Sequence, residues 1–334
     1  MSGAVARSFV SPWLLVALPL TLAGGVSADE PLRLLIASPW PEASVSTRVA
    51  RSAAGEIDRA TGGRVSLRVL AAGQRGDDEA VLADIAAGKL DGAVLTSAGL
   101  AKVAREFLIL EVPGLLSDYR QVDSVLEKLE KRLGEALAKK GLVLLDWGDA
   151  GFEFFFSTSA IRTPSDLKAG KPWVDPTDPV LAGLFERASI AATPLPTRDV
   201  LANLRTHVVQ TAHATPLQAI GFQWPVHLRN LTNLKLGLSL SLTVVSQASW
   251  AKLTDDDKRV VRAAQGRWRL RLSGFLRTQN TNAIKVLKGR GVEIIQAEEA
   301  AWTALFTRLQ DELAGDVYPK DLLADIRRWA RETK

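Results

Sequence analysis

Along the first hundred residues after the N-terminus, the apolar positions switch repeatedly between short continuous runs and a helical period. LRLLIAS (32–38) has the length and apolarity of a strand. In residues 44–60, Val49, Ala53, Ala54 and Ile57 fall on one helical face, and TGGR (61–64) stops that helix, glycine being a common terminator. VSLRVLAAG (65–73) alternates as a second strand. GDDEAVLADIAAGKLDG (76–92) predicts a helix with acids in its first turn and Gly88 near its end, and GAVLTS (92–97) predicts a third strand. Strands and helices alternating at this spacing predict an α/β fold with a mainly parallel sheet and helices on both faces.

The pattern continues to the C-terminus. Residues 118–140 predict one amphipathic helix, VLLDW (143–147) a strand, and GFEFFFSTS (151–159) another strand with three consecutive phenylalanines. TPSDLKAG (163–170) reads as a turn and short helix, WVD from Trp173 as a strand, and DPVLAGLFERASI (178–190) as a helix. Residues 197–216 give a helix, a short strand and a turn; 235–247 form a long alternating strand. One very long helix is predicted within 255–291, a strand over 292–297, and helix over 298–332. No composition shift marks a linker. A hinge would therefore consist of strands crossing between lobes, with VLLDWGDAGFEFFF and LKLGLSLSLTVV as the candidates.

The first thirty residues have a different character. One cation, Arg7, precedes the apolar run SPWLLVALPLTLAGG, and VSA stands before DE. This is the pattern of a secretory signal peptide (1–28) cleaved after Ala28, and it predicts export. The run is short for a membrane span and is interrupted by Pro12 and Pro19.

Composition narrows the functional classes. Lysine and arginine number 42 against 37 acids, but they are scattered among the acids, so no basic face predicts nucleic-acid binding. The absence of cysteine removes disulfides, thiolate metal sites and a thiol nucleophile. His207, His213 and His227 lack the spacing of a zinc pair and read as structural residues; no metal or cofactor is expected. GQRGDDE (73–79) lacks the lysine and hydroxyl residue of a phosphate loop, and its acids read as a helix N-terminus. No G-x-S-x-G elbow is present, so a catalytic class has no positive signal. The aromatic residues Trp40, Phe152, Phe154, Trp173, Phe222 and Trp224 stand at predicted strand ends or in loops, where open α/β sheets place ligand crevices. They predict an apolar pocket.

Several collinear segments together resemble one family, the DctP-type solute-binding proteins of TRAP transporters: TGGRVSLRVLAAGQRGDDEAVLADIAAGKLDGAVLTSAGL (61–100), REFLILEVPGLLSDYRQVDSVL (105–126), GLVLLDWGDAGFEFF (141–155), SAIRTPSDLKAGKPWV (159–174) and LTVVSQASWAKLTDDDKRVVRAA (242–264). The resemblance implies a two-lobed, type II-like periplasmic binding protein, with strands crossing at the hinge and a long helix touching both lobes. It implies lobe I over 29–149 and 236–265, lobe II over 150–235, and a spanning helix with C-terminal helices over 266–334. It further implies a non-enzymatic role: capture of a small solute and delivery to TRAP membrane permease subunits in the periplasm. At the position where relatives carry a carboxylate-gripping arginine, this chain has Trp173, and HVVQTAHATP (207–216) departs from the relatives' G-v-v-D-G. In this respect the chain is similar to the subgroup that works with a separate helical-repeat periplasmic partner of the TatT type. The expected ligand is apolar or weakly polar, with Trp173, Phe152, Phe154 and Trp40 as walls and Ser97, Thr215, Asp175 and Gln218 as polar contacts. The rival readings are a secreted α/β hydrolase or transferase working through unrecognised carboxylates, and an interaction protein of the same fold without a ligand.

Overall fold

The computed structural model describes Met1 and residues 30–333, so the signal-peptide expectation lies outside the described residues. Eleven strands are assigned among these: β1 (Leu32–Ala37), β2 (Val65–Leu70), β3 (Gly92–Thr96), β4 (Leu142–Phe152), β5 (Phe154–Ser157), β6 (Trp173–Val174), β7 (Thr193–Pro194), β8 (Thr211–Ala214), β9 (Asn230–Asn233), β10 (Leu238–Ser246) and β11 (Glu293–Gln296). They form a five-stranded sheet in the order β2-β1-β3-β10-β4, a four-stranded sheet in the order β11-β9-β5-β8, and the pair β6-β7.

The larger sheet is mixed rather than mainly parallel. β1 runs parallel to β2 and β3, but β10 returns antiparallel to both β3 and β4. The reason is the route of the chain: β10 comes back from the second sheet, so it enters the first from the opposite end. Helices cover both faces, as the alternation predicts. Leu34, Ile36, Val65 and Val245 pack with Ile57 of helix Val45–Ala60 and with Val261 and Ala264 of helix Asp255–Gly289. On the other face Leu95 and Leu144 pack among Val81, Ile85, Leu126 and Leu129.

β4 and β10 carry the chain between the two sheets. They are paired from Leu142↔Ser246 to Phe152↔Leu238, with two register shifts. Just beyond, Glu153 N donates to Gly237 O at 3.0 Å and Leu236 N to Glu153 O at 2.9 Å. Gly151 sits here at φ +109°, a backbone region that other residues rarely adopt, and an added Cβ would lie 2.6 Å from Asn280 Nδ2.

The long helix runs over Asp255–Gly289. Thr254 caps it, accepting from Asp257 N, and Asp255–Asp257 lie in its first turn, where negative charge offsets the helix dipole. At about 1.5 Å per residue it spans roughly 50 Å. It lies along β4: Arg277 contacts Asp149 at 2.7 Å, and Asn280 Nδ2 donates to Ala150 O at 2.6 Å. Asn280 Oδ1 also accepts from Leu217 N at 2.9 Å, which ties the helix to the short helix Pro216–Gly221 after β8. The helical stretch predicted over 298–332 is two helices, Glu299–Leu313 and Lys320–Glu332, separated by a turn with Gly315 at φ +93°. Among the described residues no helix is long and apolar enough to cross a membrane.

Candidate functional site

Where the two sheets meet, a cavity of about 180 Å³ is lined from both sides. Thr96 and Ala98 come from the end of β3 and the short helix after it; Glu111 comes from the end of the 3-10 turn Arg105–Glu111. Glu153, Thr177, Asp178, Leu181 and His213 come from the second-sheet side, and Leu236–Leu240 from the start of β10. Burial of Phe107–Leu110 fixes the 3-10 turn, so Glu111 emerges at the cavity as the apolar run ends. Gly237 permits this approach: an added Cβ would stand 2.0 Å from the carbonyl oxygen of Glu111.

The lining includes three carboxylates, one imidazole, and neither lysine nor arginine. Glu153 Oε2 lies 2.7 Å from His213 Nδ1. Asp178 caps the helix Pro179–Arg187, its Oδ1 accepting from Val180 N and Leu181 N at 2.9 Å each. Burial, followed by the negative charges of Asp178 and Glu153, pushes the Glu111 carboxyl well above the usual carboxylate range. Burial also raises Asp178, with His213 and the backbone donors pulling the other way. For His213, burial disfavours the charged ring, but the hydrogen bond and charge of Glu153, with Asp178 and Asp175, outweigh it and hold the imidazole above its ordinary value. His213 is 7% exposed, and its Nε2 has no hydrogen-bond partner. Ser97 Oγ, between the lining residues Thr96 and Ala98, is buried beside the Glu111 carboxyl, which it pulls partway back toward its ordinary range.

The residues singled out from the sequence are placed variously. Trp173 is buried; its ring stacks on His213 with centroids 4.7 Å apart, and its Nε1 donates to Leu195 O at 2.7 Å. It therefore backs the imidazole and is not itself part of the cavity lining. Phe152 is buried against Tyr119, and Phe154 is buried in β5 opposite Ala214. Trp224 is buried edge-on to Trp173, whereas Phe222 is 40% exposed. Thr215 and Gln218 form a reciprocal capping box on the helix Pro216–Gly221, and Gln218 Nε2 reaches Ser239 Oγ, on the lining, at 3.3 Å. Asp175 is occupied by Thr177 and Thr197.

Trp40 lies elsewhere, beside Trp268, Asp146 and Arg269, at a separate cavity of about 50 Å³ over the first sheet. The acids at 77–79 behave as a helix start: Asp77 accepts from Ala80 N at 3.0 Å.

Sequence reasoning did not single out Glu111, Glu153 or Asp178 for the site, and it read His213 as structural. A signal was present. Glu111 and Glu153 are each a lone carboxylate in an otherwise apolar run, LILEVPG and GFEFFF, which is an expensive position for a charge without a purpose.

The model of the bacterial extracellular solute-binding protein family 7, DctP, matches residues 36–316. A solute-binding protein from Chromohalobacter salexigens is 25% identical over 231 residues, 67% of each chain. Among solved structures, a TRAP periplasmic solute-binding protein from Ochrobactrum anthropi superposes with a TM-score of 0.83 at 18% identity, covering 90% of this chain and 95% of that one. One from Xanthobacter autotrophicus, solved with bound β-D-galacturonate, gives 0.78 at 21% identity, covering 88% and 99%.

Proposed function

The chain belongs to the DctP family of bacterial extracellular solute-binding proteins, which are binding proteins rather than enzymes, and from that premise we propose that it captures a small solute in the cavity between its two sheets and hands it to the membrane permease of a TRAP-type transporter. The observation that carries this reading is the position of the cavity. It is walled from both sheets at the point where β4 and β10 cross, so closure of one lobe on the other would enclose its contents. The division into lobe I (29–149 and 236–265), lobe II (150–235) and a spanning C-terminal part belongs to the same reading. It is supported by the strand crossings at Gly151–Glu153 and Leu236–Leu238.

Export through a signal peptide cleaved after Ala28 is part of the proposal and rests on the N-terminal sequence pattern. So does a helical-repeat periplasmic partner, which rests on the Trp173 and HVVQTAHATP departures alone. An apolar body for the solute is supported by Leu181, Leu236, Leu238 and Leu240 on the cavity wall, in place of the aromatic walls expected from the sequence. The relative from Xanthobacter autotrophicus holds a sugar acid. This cavity has no lysine or arginine to meet a carboxylate.

The test is native mass spectrometry of the mature protein purified from its own cells. A discrete added mass of small-molecule size, lost on unfolding, is expected. A bare chain that also shows no saturable binding of any small molecule would refute the reading.

A further inference from the structure

The charge balance of the cavity sets a requirement on its contents. Glu111, Glu153 and Asp178 reach it from three different segments of the chain, and His213 is the one cationic group among the lining residues. Glu153 is committed to His213 at 2.7 Å, and Asp178 uses Oδ1 on the helix end it caps. Glu111 has no ion-pair partner among the described residues. Three carboxylates against one imidazole leave, when all are ionised, an excess of negative charge that burial makes costly and that either bound protons or a cationic occupant relieves.

A second observation comes from His213. With Nδ1 donating to Glu153, Nε2 is an acceptor on the neutral ring and a donor on the imidazolium, and that atom is buried with no partner. A buried polar atom without a partner is uncommon in folded proteins and marks a place where something else completes the set. An occupant that completes the site offers His213 Nε2 a hydrogen-bonding group as well as a positive charge to Glu111 and Asp178.

Resting on the solute-binding reading above, we infer that the cavity takes a small organic cation: a protonated amine held by Glu111 and Asp178, with a neighbouring amide or hydroxyl group, donor and acceptor at once, hydrogen-bonded to His213 Nε2. Leu181, Leu236, Leu238 and Leu240 receive its apolar part. An organic cation suits these walls better than a metal ion, because no group of three His, Asp or Glu among the described residues is arranged to hold one. Trp173 contributes indirectly. By stacking on His213 and donating to Leu195 O, it fixes the plane in which the imidazole points.

The experiment compares four matched probes by calorimetry on the mature chain: L-leucinamide, isopentylamine, 4-methylpentanamide and 4-methylpentanoate. L-leucinamide carries the cation and the acceptor, and should bind tightest; isopentylamine should follow, the neutral amide should be weaker, and the carboxylate should not bind. Glu111→Gln should weaken amine binding by about tenfold or more, as truncation of a buried charge partner does. The same variant should melt no lower than the parent when empty, since it removes a repulsive charge, and this separates lost recognition from lost folding. Tighter binding of 4-methylpentanoate than of either amine would overturn the charge assignment and leave the solute-binding reading standing. So would a native solute without a protonatable nitrogen. A native solute that does contain one supports the inference unless 4-methylpentanoate binds tighter than either amine. If no probe binds and no solute is found, the solute-binding reading itself falls.

Discussion

Asp146 offers a direct measure of what burial of a charge costs in this fold. It lies on β4 at the small cavity beside Trp40 and Trp268, with its side chain 17% exposed and Arg269 Nε 3.7 Å away. Burial raises its pKa from 3.8 to about 7, and Arg269 pulls it back only in part. The folded protein thus holds a proton between about pH 4 and pH 7 that the unfolded chain has released. Where the native state binds more protons, stability falls as pH rises. The stability contribution is intact below the unfolded pKa, declines through this window, and is level again once the folded carboxyl has ionised. About three pKa units at roughly 1.4 kcal/mol each correspond to about 4 kcal/mol lost by pH 8.

Asp146→Asn removes the titration and keeps the shape. Urea unfolding followed by tryptophan fluorescence at pH 4.5 and pH 8 should show the two proteins close together at the lower pH. At the higher pH the variant should be more stable by about 4 kcal/mol. Glu111 and Asp178, also raised by burial, titrate in both proteins and cancel in the difference. An equal pH dependence in parent and variant, or a variant that is weaker at pH 8, would refute the argument.

Two further outcomes follow from named contacts. Arg277→Met should cost about 3–5 kcal/mol in urea unfolding, because Asp149, 2% exposed, loses its only cationic partner among the described residues; adding Asp149→Asn should recover most of that loss, and no recovery would show that the charge was not the cause. Trp173→Ala should lower stability by about 3–5 kcal/mol in thermal or urea melts, as for other buried large-to-small changes, where a tryptophan forming an open pocket wall would leave folding nearly intact; an unchanged melting point would return Trp173 to that role.

Much of the architecture was written in local pattern. Helix starts are legible where the signal is local: the acids at 77–79 read as a helix N-terminus, and Asp77 caps the helix there. β9 was not legible, because NLTN has neither alternation nor length, and its strand character comes from its neighbours β5 and β11. The direction of β10 was hidden for a similar reason: a strand's sequence does not say from which side of the molecule the chain returns. The break at Gly315 was visible as a residue but weaker than the helical pattern on either side of it.

At the site, the aromatic residues drew attention because they are large, yet most of them fill the interior. The acids that line the cleft are separated along the chain, and only folding brings them together. Each in isolation looks like one more surface charge. Glu111 in LILEVPG and Glu153 among its phenylalanines were the exceptions, and the partner of Glu153, His213, lies sixty residues away.

Asn280 deserves a mechanical reading. Its one carboxamide grips the crossing strand at Ala150 with the nitrogen and the second-sheet side at Leu217 with the oxygen. A swing of one lobe against the other must then turn about this side chain or tear one of its two bonds. The molecule has, in effect, a pin through its joint, so the arc available for admitting cargo is set as much by the reach of a single amide as by the suppleness of the strands.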